Sequence, residues 1–188
     1  ASLLAATLRV ATPLSFASIG ELLVERTGIL NLGIEGIMFL GAFTGFAVAF
    51  HSNLWLGLLG AALAGLLLGI LMGFFSVSLG VNQHVAGLGI TLLSIALSLF
   101  SFRLVFGENA VLPAIDPFAL WQPLPEESVL GTILKQYGLT YFAFLILTPL
   151  SWWFLYRTRF GLALRATGEN PEAVDAAGLN VYKIRYLT

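Results

Sequence analysis

The chain has 188 residues, of which 58% are hydrophobic and 10% charged, with a net charge of −1 and a mean hydropathy of +0.91. Soluble domains are about one quarter charged, so a fold in water has nowhere to hide this much apolar surface, and a bilayer is the solvent that suits it. The near-neutral balance speaks against a nucleic-acid partner or a strongly basic membrane-surface patch, and the absence of cysteine excludes disulfides and thiolate metal sites.

Continuous apolar runs of about 20 residues point to helices rather than to the alternating pattern of a barrel. The expected fold is all-α, a polytopic membrane helix bundle of about five to six transmembrane helices forming a single domain over 1–188. The runs are 3–24, 34–50, 54–79, 85–106 and 138–156, and a sixth begins near Val181. The chain opens on Ala1 rather than Met, has no basic n-region or cleavage site of a signal peptide, and stops at Thr188 in an apolar run. It reads as a piece of a longer protein.

Between the first two runs, GELLVERTGILNLGIEGIMFLG (20–41) concentrates Gly28, Gly33 and Gly36 with Asn31 and Glu35. Glycine at that density weakens a helix, and irregular backbone at membrane depth is tolerated where it lines a cavity or is buried in protein. An ordinary turn, with Glu25 paired to Arg26 or a neighbour and Asn31 capping the next helix, accounts for the same residues. In the third run Gly57, Ala61, Gly65, Gly69 and Gly73 recur every fourth residue, a smooth ridge for close helix approach.

The fourth run opens on Asn82, Gln83 and His84 and continues with Thr91, Ser94 and Ser98 at helical spacing, a hydrophilic seam or a set of interhelical hydrogen bonds. Asn31, Glu35, Asn82, Gln83, Thr91 and Ser94 are the candidates for a path taken by a polar solute. His84 has no second histidine at a metal-binding interval and reads as interfacial. Arg9 and Arg103 lie within apolar runs and are expected to snorkel towards an interface.

The connection 107–137 holds Glu108, Asp116, Glu126 and Glu127 against Lys135, with Pro113, Pro117, Pro123 and Pro125, whereas five of the nine Lys and Arg residues fall in 157–185. The basic segment is therefore expected on the cytoplasmic side and the connection outside. Counting back puts 25–31 and 82–84 inside, and 51–53 and the N-terminus outside. Trp152, Trp153 and Tyr156, just before Arg157, read as an interfacial aromatic belt.

In the stretch 165–181 Asn170 suits an N-cap, Pro171 the first helical position, Glu172 and Asp175 the positive helix end and Gly178 a terminator. The spacing predicts a short helix over 171–177 with Ala173, Ala176 and Ala177 on one face. Two turns of helix are marginal in water alone, so this one is expected to dock. A solvated connector between two membrane helices is the plainer account.

This segment resembles the cytoplasmic coupling loop of ABC importer permeases, in the branch that moves branched-chain amino acids, ribose-type sugars and nucleosides. The matching residues are Gly168, Glu169, Asn170, Pro171, Ala173, Ala176, Ala177 and Gly178, with Val174 and Asp175 where the pattern is expected to vary. The 20–41 stretch, through Glu25, Gly28, Asn31, Gly33, Glu35 and Gly36, is similar to the nucleoside and simple-sugar permeases. The resemblance implies that the short helix seats in a groove of an ABC ATPase subunit that carries ATP and Mg. It also implies a second permease subunit, identical or homologous, and an extracytoplasmic substrate-binding protein, all at the bacterial plasma membrane, with nucleosides or simple sugars as cargo.

Neither Lys135 nor Lys183 stands in a phosphate loop, and there is no HExxH and no G-x-S-x-G. The chain is thus expected to bind no cofactor of its own and to be no enzyme. A proton-coupled secondary transporter, with Glu35 or Glu21 as carrier carboxylate, is the alternative.

Overall fold

The computed structural model describes residues 2–107, 114–125 and 128–188; Glu108, Pro113, Glu126 and Glu127 of the connection lie outside them. In chain order the helices are α1 (Ser2–Glu25), α2 (Ile34–His51), α3 (Leu54–Ser78), α4 (Gln83–Phe106), α5 (Val129–Leu134), α6 (Gly138–Arg157), α7 (Arg159–Glu169), α8 (Pro171–Ala176) and α9 (Val181–Tyr186). Five of them, α1 to α4 and α6, are long and apolar enough to cross a membrane. They match the five apolar runs to within about two residues. Among the described residues the exceptions to the all-α expectation are two-residue strands, β1 (Leu120–Trp121) and β2 (Gln136–Tyr137), paired antiparallel within the connection.

Local chemistry sets the helix ends. Asn53 accepts from the amide of Leu56 at 2.9 Å and starts α3, and Asn82 accepts from the amide of His84 at 3.0 Å and starts α4 two residues earlier than the apolar run suggested. Gly107, at φ +84, ends α4. Helix α6 winds as a π-helix over Phe142–Leu147, just ahead of Pro149. Proline has no amide hydrogen to give the carbonyl four residues back, and wider winding before it is a way to absorb that mismatch.

The long helices keep their bulk outward. Leu59, Leu63, Leu66 and Leu67 of α3 are all more than half exposed, which only lipid tolerates on this scale. Helices meet through small residues instead. A Cβ on Gly57 would lie 2.7 Å from the Gly45 carbonyl oxygen, and one on Gly45 would lie 3.1 Å from Ala61 Cβ, so the first half of the α3 ridge interlocks with Gly45 and Ala49 of α2. The second half is looser: a Cβ on Gly65 would lie 3.8 Å from Ile37, one on Gly69 would have nothing within 4 Å, and one on Gly73 would lie 3.2 Å from the Tyr186 ring of α9. Helix α4 closes on α2 at Gly36, where an added Cβ would strike Thr91 Cα and lie 3.0 Å from the Thr91 carbonyl oxygen.

Helix α1 packs mainly against the connection and α6. Thr12 and Thr140 share a buried hydrogen bond of 2.9 Å, and the rings of Phe16 and Phe142 stack at 6.2 Å. Arg9, expected to snorkel, is held by protein: its guanidinium donates to Gln136 Oε1 at 3.3 Å and to the Lys135 carbonyl at 3.1 Å. That contact puts the start of α1 at the same end of the bundle as the connection. The turn after α1 meets α7 and α9 at the opposite end, where the arginines cluster, in the arrangement expected of a cytoplasmic face. Here Leu155, Leu164, Val174 and Ile184 form the main buried core, with Leu23 of α1 against it.

Gly36→Ala should force α2 and α4 apart and destabilise the fold by roughly 1–3 kcal/mol, read as a lower melting temperature in detergent. Gly69→Ala, on an open stretch of helix, should be neutral or slightly stabilising. Equal losses in both variants would refute the close α2–α4 approach.

Candidate functional site

Residues 26–33 link α1 to α2 without helical winding, although Thr27 and Ile29 are buried. Backbone groups in such a position must find partners, and side chains from four directions supply them. The Leu30 amide donates to Gln83 Oε1 at 2.8 Å, and the Asn31 amide to Glu21 Oε1 at 2.9 Å. Thr91 donates its hydroxyl to the Leu32 carbonyl at 3.4 Å, and the Gly33 amide donates to Asn31 Oδ1 at 3.0 Å. On the far side Arg185 Nε donates to the Thr27 carbonyl at 3.3 Å.

Three of the six path candidates, Asn31, Gln83 and Thr91, thus converge on one segment. Glu35 stands exposed on the first turn of α2, Asn82 caps α4, and Ser94 lies fully buried where α4 meets Gly36, its hydroxyl without a hydrogen-bond partner among the described residues. Asn31 closes a turn on itself and does not cap α2, whose N-cap is Gly33 with no side-chain bond.

A cavity of about 740 Å³ opens between α1, α2 and α3. It runs from Asp116 in the connection to Glu21, Asn31 and Thr188 at the basic end, and these four are the polar residues among those lining it. Gly57, Ala61, Gly65 and Gly69 contribute a bare strip of α3 to its wall. Glu21 is the residue that reading the sequence underrated. Its Oε1 holds the Asn31 amide, while its Oε2 is buried with no hydrogen-bond partner among the described residues. A lone carboxylate near the end of an apolar run was the available signal.

At the basic end Asn170 caps α8 by accepting from the Ala173 amide at 3.0 Å, with Pro171 in the first turn. Gly178, at φ +81, lets the chain leave, and the helix stops at Ala176, one residue short of expectation. Val174, placed among the variable positions, is the anchor: it is 5% exposed and packs with Leu155, Leu164 and Ile184. Glu172, Ala173, Asp175, Ala176 and Ala177 face outward. Gly168 and Glu169 end α7, Asn170 joins α7 to α8, and all three are exposed, with the Cβ side of Gly168 against the backbone of Arg26 and Gly28.

Several relatives share this sequence over nearly its whole length. A Haloferax volcanii protein named as a glucose ABC transporter permease is 38% identical, covering 100% of this chain and 57% of its own length. The guanosine ABC transporter permease protein NupQ of Bacillus subtilis is 36% identical, over 97% of this chain and 60% of its own. The nucleoside ABC transporter permease protein NupC of Lactococcus lactis subsp. cremoris is 37% identical, over 93% and 58%. The chain therefore spans rather more than half the length of the curated relatives it matches. No solved structure matches it. The family model described as the permease component of branched-chain amino acid transport systems matches residues 3–188, and with five membrane-crossing helices this multi-pass membrane protein belongs to that permease family.

Proposed function

We propose that the chain forms part of the membrane-spanning region of a permease subunit that imports nucleosides or simple sugars across the bacterial inner membrane, driven by ATP hydrolysis on a separate ABC ATPase. The observation that carries this is the build of α8. Val174 pins the helix to the body of the protein while Ala173, Ala176 and Ala177 stand outward at the basic end. A face of small alanines flanked by the exposed carboxylates of Glu172 and Asp175 suits insertion into a groove on a partner. Force applied there reaches α6, α7 and α9 through the shared Leu155–Leu164–Ile184 core.

The cargo follows from the relatives' printed names, two for nucleosides and one for glucose. Both classes carry several hydroxyls, which match hydrogen-bonding groups of the kind Glu21 and Asn31 offer in an otherwise apolar wall. In this scheme ATP and Mg reside on the ATPase, an extracytoplasmic binding protein delivers cargo to the end bearing Asp116, and a second permease completes the path. Two Bacillus subtilis proteins named as guanosine permeases match at 36% and 24% identity. This asymmetry favours a homologous rather than an identical second subunit.

Recovery of an ATPase with the intact permease should fall about tenfold or more in Ala173→Arg and Ala177→Arg, since each puts a charge into a tightly packed contact. Unchanged recovery, or no ATPase with the unaltered protein, refutes the assignment. The cognate binding protein should be stabilised against heat by a nucleoside or by a simple sugar. Stabilisation by branched-chain amino acids alone would overturn the proposed cargo.

A further inference from the structure

The two segments that carry the family resemblance touch each other. A Cβ on Gly168 would strike the Arg26 carbonyl and lie 3.1 Å from the Gly28 amide nitrogen, and one on Gly28 would lie 3.4 Å from Gly168 Cα. Gly28 also needs its φ of +81, which side chains rarely adopt. Beside this backbone-to-backbone contact Arg185 holds the Thr27 carbonyl, and Thr27 is fully buried. The end of α7, two residues before α8, is thereby pressed onto the turn that leads to Asn31.

From that turn the connection to the cavity is short. The Asn31 amide is bonded to Glu21, and both residues line the cavity, while the Leu30 amide is bonded to Gln83 of α4, so the turn is held to the cavity wall on one side and to α4 on the other. No compliant side chain intervenes at the Gly168–Gly28 contact, and packed backbone transmits displacement because it has no rotamers with which to absorb it.

We infer that Gly168 and Gly28, with the Arg185 bond to Thr27, form the joint through which movement of α8 repositions residues 26–33 and with them the Glu21–Asn31 end of the cavity. Both glycines are positioning residues that act through the turn. The inference rests on the proposed coupling role of α8.

The test uses the intact permease assembled with its ATPase in nanodiscs. These 188 residues hold no cysteine, so Ile34→Cys, on the cavity wall next to the turn, serves as the reporter once any cysteines elsewhere in the permease and in the ATPase are replaced by serine. Its maleimide labelling rate is compared without nucleotide and after trapping with ATP and vanadate, normalised to the nucleotide trapped in the same sample. Trapping should change the rate about tenfold in the parent, and Gly168→Ala should reduce that response to less than about twofold, a span typical of coupling between sites.

A response undiminished in Gly168→Ala overturns the joint, as does a parent that traps nucleotide but shows no response. Where Gly168→Ala fails to assemble, Arg185→Gln decides: its response should be at least about halved, and an unchanged one counts against the joint. Failure of the parent to recover an ATPase would instead sink the proposed function, so the two failures are separable.

Discussion

The backbone of residues 26–33 is the constraint around which this structure is arranged. The amides of Arg26, Thr27 and Gly28 still close onto the last turn of α1, but beyond them the chain leaves the helix with Thr27, Ile29 and Gly33 buried, and the backbone groups there need other partners. Its groups are met one by one by Gln83, Glu21, Thr91, Asn31 and Arg185. Each of these polar side chains would be costly in an apolar run if it had no task. Collectively they tie α1, α4 and α9 to a single turn, so an irregular stretch becomes a point where several helices are joined.

Glycine works with this arrangement by removing side chains where backbones must meet. Gly33 and Gly36 let α4 press against the start of α2, Gly45 and Gly57 let α2 and α3 interlock, and Gly168 and Gly28 bring α7 onto the turn. Lipid tails are as apolar as leucine, so helices gain little by hiding leucines from them, and close backbone contact becomes the main source of cohesion. The exposed leucines of α3 and the small buried cores follow from the same argument.

Much of this was legible in the sequence because the bilayer simplifies the code. Apolar length alone located the five spanning helices, and Asn170 marked the start of α8, whereas the caps that Asn53 and Asn82 supply to α3 and α4 emerge from the structure. Helix α7 leaves no such trace, because its residues 159–169 mix apolar and charged types and form no long apolar run. Side-chain roles were harder. Thr91 and Ser94 share a helical seam, yet one bonds a carbonyl of the turn and the other faces Gly36, since small shifts about the axis decide which neighbour each meets. Val174 was set aside as variable although it is the largest apolar residue of α8. A short helix that must offer a bare face outward needs its one bulky residue inward.

Under the proposed function the cavity wall has a consequence for selectivity. Four polar residues spread along about 740 Å³ cannot surround a nucleoside or sugar with the hydrogen bonds it makes in water. Desolvation without full compensation keeps affinity in the path low, and low affinity suits a route that cargo must leave as readily as it enters. Discrimination is then left to the external binding protein, while the permease supplies a passage whose inner end changes shape. Placing Glu21 and Asn31 at the end nearest α7 and α8 concentrates the few polar contacts where the mechanical linkage is shortest, so the groups that meet cargo are also the ones the joint can move.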